Sequence, residues 1–166
     1  MSRFKYILYI IGVVVSFGIM QSCIEINDEK IPSYPVNINL STAGYWQTYG
    51  VTAPGMYREF NIAERKPANY PYVASSRTGF GGVLLVCDIF SGEPMAYDMS
   101  CPVERRGDVR IHIDESSFDA VCSKCGSRYD VMGGWGSSLS GKAVAQKVGL
   151  TRYSVIKIGA GYNIVN

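Results

Sequence analysis

Apolar and polar residues alternate along several short stretches of the chain, which is the pattern of β-strands with one buried face. Val36, Ile38 and Leu40 alternate with asparagines, and residues 109–113 alternate in the same way. Residues 83–89 are nearly all apolar, as expected for a strand that is buried on both faces. The pattern predicts a strand in each of these three places.

The last part of the chain predicts a β-hairpin. Residues 153–158 are rich in β-forming side chains and run into Gly159-Ala160-Gly161, a favourable turn. A short helix would fit at residues 60–66 or 142–149, although neither stretch has a clear helical period. Short strands joined by glycine-rich turns therefore favour an all-β fold, an antiparallel sandwich or barrel.

Residues 41–82 show no clear period, but they are rich in aromatic side chains. Tyr45, Trp46, Tyr49 and Tyr57 all lie in this stretch. Because aromatic side chains supply much of the area that a core buries, we expect these four to be core residues.

The first residues resemble an export signal. Arg3 and Lys5 precede an apolar run at residues 6–20, which is shorter than the roughly 20 residues that cross a bilayer. The run ends in Ser22-Cys23, which resembles the lipobox of bacterial lipoproteins, where a small residue precedes the acylated cysteine. We therefore predict a signal peptide at residues 1–22 and a lipid anchor on Cys23.

Residues 23–35 read as the lipidated cysteine and an extended tether, because they carry acidic residues and two prolines. The acidic cluster Glu25, Asp28 and Glu29 resembles the surface-export tag of Bacteroidetes lipoproteins, although it would equally suit a solvated tether. The resemblance implies an outer-membrane lipoprotein that faces the periplasm or the cell surface, with the membrane as its first partner.

The charge and the length of the mature chain argue against nucleic-acid binding and for a single domain. Removal of residues 1–22 leaves 144 residues with 14 basic and 14 acidic side chains, which gives no electrostatic case for a nucleic-acid partner. That length suits one all-β domain at residues 36–166.

Four cysteines follow Cys23, and three of them lie in two short loops. The first loop is Asp98-Met99-Ser100-Cys101-Pro102-Val103-Glu104, and the second, residues 122–130, contains Cys122 and Cys125. Two cysteine-bearing loops that flank a strand are a common way to hold a metal ion or cluster. Cys87 lies in the apolar run at 83–89, so we expect it to be a small core residue.

Residues 82–166 resemble a Rieske-type [2Fe–2S] domain, whose second loop reads Cys-x-x-His-Gly and often continues Ser-x-Phe/Tyr-Asp. The residues that match this loop are Cys122, Gly126, Ser127, Tyr129 and Asp130. Glycine-rich residues 133–143 and the stretch 150–155 match the family's third loop and closing strand. With the export signal, the combination looks like Rieske-fold lipoproteins of Bacteroidetes. The resemblance implies a Rieske-like β-sandwich or barrel with a small cluster-binding subdomain.

Both histidines of the family pattern are replaced in this chain. Val103 stands at the first histidine position and Cys125 at the second. His112, the one histidine, alternates with apolar Ile111 and Ile113 and is expected to point away from the core. A true Rieske centre uses two histidines on one iron, so these loops cannot build it.

Three interpretations of the cysteines remain open. They bind zinc or another metal, with Glu104 as the best fourth ligand, or a [2Fe–2S]-like cluster that would also need Cys87. Alternatively, a Cys101–Cys122 or Cys122–Cys125 disulfide replaces the metal, or the thiols stay reduced and no cofactor is held.

Two functions follow from these interpretations. The first is a lipoprotein that binds a metal or cluster for electron transfer, and the second is a structural lipoprotein that displays a surface to a protein partner. An enzyme is less expected, because Ser127 has no histidine nearby in sequence and no catalytic residue can be named.

Overall fold

The structure is a computed structural model that describes residues 31–166, so the predicted signal peptide and Cys23 lie outside the described residues. Over the described range the chain forms twelve strands and two short helices. In chain order they are β1 (Val36–Leu40), α1 (Ala43–Tyr49), β2 (Tyr57–Phe60), β3 (Arg77–Thr78), β4 (Val83–Cys87), β5 (Pro94–Asp98), β6 (Ser100–Cys101), β7 (Arg106–Ile113), β8 (Ala120–Cys122), β9 (Arg128–Asp130), β10 (Ser137–Ser140), α2 (Lys142–Gln146), β11 (Arg152–Ile158) and β12 (Gly161–Val165).

The strands form two antiparallel sheets, which confirms the predicted all-β class. The seven-stranded sheet has the order β2-β4-β5-β11-β12-β1-β3 and curls into a nearly closed barrel. The five-stranded sheet has the order β10-β9-β8-β7-β6 and forms a half-barrel that carries the cysteine loops.

Strand β4 is buried on both faces, as the apolar run predicts. Val83, Leu85 and Cys87 face the core inside the barrel, whereas Leu84 and Val86 face a second core between the two sheets. The strand ends at Cys87, so the predicted strand was wrong in its last two residues. There the Asp88 carboxylate accepts the backbone N–H groups of the next residues and turns the chain.

Three other sequence predictions of strands are confirmed. In β1, Val36, Ile38 and Leu40 are buried, and in β7 the same is true of Ile111 and Ile113. Strands β11 and β12 pair as a hairpin whose last register pair joins residues 158 and 161.

Helix formation was harder to predict. Helix α1 lies in the stretch without a clear period, and the Thr42 hydroxyl caps it by accepting the Tyr45 N–H at 3.2 Å. Helix α2 falls within residues 142–149, as one prediction allowed. At residues 60–66 no helix forms, because Phe60 ends β2 and the rest is a turn closed by the Asn61–Lys66 bridge.

The aromatic side chains of the region at 41–82 mostly pack against the cores. Trp46 and Tyr49 pack on the barrel core and Tyr57 on the second core, as expected. Tyr45 is 41% exposed, so its assignment as a core residue was wrong.

The last residues of the predicted tether lie on the domain. Ile31 is buried, and the ring of Tyr34 lies 5.3 Å from that of Phe80. In the range 31–166, no helix has the length and apolar character needed to cross a membrane.

Candidate metal centre

The structure brings together three of the cysteines that the sequence singles out. The sulfurs of Cys101, Cys122 and Cys125 all lie within 4.8 Å of one another, and the Cys101 and Cys125 sulfurs are 3.6 Å apart. Cys101 and Cys122 are fully buried, while Cys125 is partly exposed. The site therefore has two buried cysteines on its inner side and one partly exposed cysteine at its edge.

The two loops that carry these cysteines have matching backbones. The Arg105 N–H donates to the Cys101 carbonyl at 2.9 Å, and the Gly126 N–H donates to the Cys122 carbonyl at 2.8 Å. Both donor residues are left-handed, with φ of 53° at Arg105 and 71° at Gly126. Each loop is thus a single turn that a cysteine begins and a left-handed residue closes, and Glu104 takes the place in the first loop that Cys125 takes in the second.

A buried carboxylate fixes the approach to the first loop. Asp98 accepts the backbone N–H groups of Gly81 at 3.1 Å and Ser100 at 2.7 Å, and also the Ser100 hydroxyl at 2.5 Å. The Tyr153 hydroxyl donates to the same carboxylate. Because Ser100 precedes Cys101 directly, Asp98 holds that cysteine in place. Asp98 was recognised from the sequence only as part of the first loop and without a role, although a charged residue at the end of a strand that enters the core is the one local signal for it.

Two hydroxyl groups, those of Ser127 and Tyr129, lie next to the sulfurs. The Ser127 oxygen accepts the Ala143 N–H at 3.0 Å and the Cys125 thiol at 3.1 Å, and its own hydroxyl proton could turn to the sulfur once that thiol is ionised. The buried Tyr129 hydroxyl lies 3.7 Å from the Cys101 sulfur. Ser127 and Tyr129 thereby supply hydroxyl groups that could donate to a thiolate, and the Ala143 N–H of helix α2 holds the Ser127 oxygen in place.

The surroundings separate the three thiols chemically. Burial raises the pKa of Cys101 to about 12, against the opposing effect of the backbone N–H of Glu104 and the hydroxyl of Tyr129. Burial also acts to raise the pKa of Cys125, but the Ser127 hydroxyl and backbone N–H outweigh it and hold that pKa below its ordinary value. Cys125 is therefore more readily ionised than Cys101.

Glu104 lies beside the sulfurs without joining them. Its carboxylate pairs with the Lys124 ammonium at 2.6 Å, and its side chain is 15% exposed. Val103, at the position of the first family histidine, packs against the second core and offers no ligand atom. Among residues 31–166, the group of ligand atoms that meet here contains only the three sulfurs.

The other two candidates lie elsewhere, as the sequence predicts. His112 is exposed on β7 between buried Ile111 and Ile113. Cys87 is buried in the barrel core, where its thiol donates to the Gly92 carbonyl at 3.3 Å. Neither side chain reaches the three sulfurs.

The arrangement of the sulfurs suits one metal ion. At a Zn–S distance of about 2.3 Å, tetrahedral geometry places two sulfurs about 3.8 Å apart. The Cys101 and Cys125 sulfurs, 3.6 Å apart, lie close to that value, and all three sulfurs lie within 4.8 Å of one another. Three thiolates are a soft donor set, which suits zinc, copper(I) or iron.

These residues also lack what a Rieske centre needs. Two irons require two pairs of ligands, and the described chain brings three ligand atoms together, none of them from histidine. The donor set therefore fits a single ion better than the [2Fe–2S] cluster that the family resemblance implies. In comparisons with known proteins, no family model, no curated protein and no solved structure matched this chain.

Proposed function

We propose that this protein is an exported, lipid-anchored protein that binds one thiophilic metal ion through Cys101, Cys122 and Cys125. The observation that carries the proposal is the meeting of three sulfurs, from two separate loops, within 4.8 Å. The export signal and Cys23 support the anchor, and the oxidising compartment that export implies makes an empty set of three thiols less favourable than an occupied or bridged one.

The groups around the sulfurs support a thiolate site. Metal ligands need second partners that orient them, and here a hydroxyl and a backbone N–H lie at each of two sulfurs, those of Tyr129 and Glu104 at Cys101 and those of Ser127 at Cys125. The raised pKa of Cys101 opposes its ionisation in the empty site. A bound cation would favour the thiolate form of that residue, so metal binding should release protons.

Glu104 is the best fourth ligand. It occupies the first-loop position that matches Cys125 in the second loop, and the Lys124 ion pair holds its carboxylate aside. A partly exposed ion pair contributes little, about 0–1 kcal/mol, so a cation could displace the Lys124 ammonium. A set of three cysteines and one glutamate is uncommon for zinc but contains only ligands that zinc accepts.

The role of the centre depends on the ion. Zinc has no redox chemistry, so a zinc centre would join the two loops and stabilise the half-barrel. Iron or copper in the same three sulfurs would allow the electron transfer that the family resemblance implies.

Metal content measured together with free thiols tests the proposal. We expect about one equivalent of metal in protein purified without chelator and without oxygen. Cys122→Ser should abolish binding, whereas Cys87→Ser, a matched change of a buried cysteine in the other core, should retain it. Metal retained by Cys122→Ser, or no metal in the parent protein after reconstitution with zinc or copper(I), would contradict the proposal.

A disulfide-stapled interaction lipoprotein is the second candidate. The observation that favours it is the 3.6 Å separation of the Cys101 and Cys125 sulfurs, which need to approach to about 2.05 Å to bond. This pair differs from the Cys101–Cys122 and Cys122–Cys125 bridges that sequence reasoning considered. Two cysteines that react with a thiol reagent only after reduction, in protein free of metal, would favour this candidate.

A further inference from the structure

Two large aromatic side chains protrude from adjacent loops of the described domain. Phe90 is 86% exposed and Trp135 is 66% exposed, the two highest values among the large hydrophobic residues of the range 31–166. The ring of Phe90 lies against Gly133, where a Cβ atom would come within 2.6 Å of it. The Ile89 N–H donates to the Met132 carbonyl at 2.9 Å and joins the two loops. We call Phe90 and Trp135 the aromatic patch.

Both loops are held in place by carboxylates. Asp88 accepts the Phe90 N–H at 2.7 Å in the turn between β4 and β5. Asp130 accepts the Gly133 N–H at 3.2 Å at the start of the loop after β9. Since each turn has its own internal acceptor, the outward position of the two rings belongs to the fold.

The backbone at Trp135 is in an unusual conformation. Its φ is 59°, in the left-handed region that a bulky residue seldom adopts. The Arg152 guanidinium lies 5.2 Å from the centre of the ring and covers one of its sides. Strained positions of this kind cluster at functional sites, and here the strain presents an indole to solvent.

The chain meets the domain beside this patch when it comes from the predicted lipid anchor. Arg152, which contacts Trp135, also lines a cavity of about 530 Å³ together with Ile31 and Pro32. From Cys23 to Ile31 an extended chain spans at most roughly 29 Å. A lipid on Cys23 would therefore hold this side of the domain close to the membrane surface.

We propose that the aromatic patch docks onto the bilayer that holds the lipid anchor, with Trp135 among the lipid headgroups. This inference rests on the anchor proposed above. Tryptophan favours the membrane–water interface because its ring is apolar and its N–H is polar, and the adjacent Arg152 suits lipid phosphates.

The size of the patch favours a membrane over a protein partner. Two aromatic side chains bury roughly 150–250 Å² each, whereas a stable protein interface buries about 800 Å² on each partner. A membrane contact can be this small, because the lipid chain already supplies the attachment and the patch only orients the domain.

Tryptophan fluorescence in vesicles tests the proposal. The chain has two tryptophans, so Trp46→Phe leaves Trp135 alone, and Trp135→Phe leaves Trp46, which packs on Tyr162 at 4.5 Å. The mature full chain would be reconstituted in phosphatidylcholine vesicles with and without bromine on the acyl chains. We expect brominated lipid to reduce Trp135 emission by roughly half and to leave Trp46 nearly unchanged.

Mass measurement of the same mature chain separates the two ways of failing. An acylated chain whose Trp135 emission ignores bromine would overturn the docking surface and leave the anchor standing. A chain without acyl mass would overturn the anchor, and the docking proposal with it. If Trp46→Phe does not fold, the difference in quenching between the parent protein and Trp135→Phe gives the same answer.

Discussion

The two cores of this protein both bury cysteines, but in different surroundings. In the barrel core Cys87 packs among aliphatic side chains, and its thiol meets only a backbone carbonyl. In the core between the sheets, Cys101 and Cys122 are just as buried, but loops bring a third sulfur to them. Burial therefore does not decide what a cysteine does. The decisive difference is whether a second chain segment delivers another ligand.

Buried hydroxyl groups differ in the same way. In the barrel core the Tyr70 hydroxyl donates to the Asn39 carbonyl at 3.1 Å and is satisfied by backbone. In the second core the Tyr129 hydroxyl lies against a sulfur, and that of Ser127 lies against another. The Tyr70 hydroxyl of the barrel core therefore has a full hydrogen-bond partner, whereas the hydroxyl groups of the second core would make their strongest hydrogen bonds to a thiolate.

The largest expected effect comes from damage to the barrel core. Phe60→Ala removes a fully buried ring and should lower the free energy of unfolding by about 3–5 kcal/mol, through lost burial and the cavity left behind. Urea unfolding measures this. If the cores are separate, the folded variant still binds metal in the parent stoichiometry, and a loss of metal would show that they are coupled.

Metal removal should have the next largest effect. At a free zinc concentration of 100 times Kd, binding stabilises the folded state by about 2.7 kcal/mol. A chelator should remove that increment from the parent protein and from Cys87→Ser, as measured by thermal or urea unfolding. Cys122→Ser should show no increment at all. Equal increments in both variants would place the metal elsewhere.

Alkaline pH should distinguish the empty from the loaded site. Burial raises the pKa of Cys101 from an ordinary 9.0 to about 12, so above pH 9 the folded state holds a proton that the unfolded state loses. The free energy of unfolding should therefore fall with rising pH, by on the order of 1 kcal/mol per pH unit. In zinc-loaded protein Cys101 is already a thiolate, and this part of the decline should vanish.

The same experiment has an internal control. Burial also raises the pKa of Cys87, in the barrel core, and that contribution should remain in the presence of zinc. The difference between the zinc-loaded and zinc-free unfolding curves isolates the ligand thiols, because the buried tyrosines, which lose protons in the unfolded state from about pH 10, contribute to both curves alike. An identical decline with and without zinc would argue against Cys101 as a ligand.

The smallest effect is expected at the pair Glu104–Lys124. Loss of this partly exposed ion pair should change stability by no more than about 1 kcal/mol. Glu104→Gln should weaken metal binding by roughly tenfold if the carboxylate is the fourth ligand. Lys124→Gln, which frees the carboxylate, should leave affinity equal or higher. Equal affinities in the parent and both variants would remove Glu104 from the site.

The alternation of apolar and polar residues was enough to predict strands whose burial follows a regular period. Strands β1 and β4 were recognisable because burial of one or both faces leaves a period in the sequence itself. Helix α1 was not, since Gly44 and its aromatic residues are poor helix signals and it depends on distant packing. Trp46 lies on Tyr162, which is far away in sequence.

The candidate site likewise has features that the sequence could predict and features that depend on distant contacts. Cysteine spacing and loop resemblance were enough to predict which side chains would meet, because each loop is a local turn. The role of Asp98 could not be found in this way, since its partners Gly81 and Tyr153 come from distant segments that only the fold brings together. The pairing of Glu104 with Lys124 across two loops was missed for the same reason.

Strand β4 is a shared wall between the two cores. Its successive side chains alternate between them, with Val83 and Leu85 on one side and Leu84 and Val86 on the other. Adjacent residues of this short strand thus pack in different cores. If selection on the cysteine-bearing side is relaxed, the tolerance of β4 to substitution should alternate from one residue to the next. The cysteine loops could then diverge while the barrel stays intact.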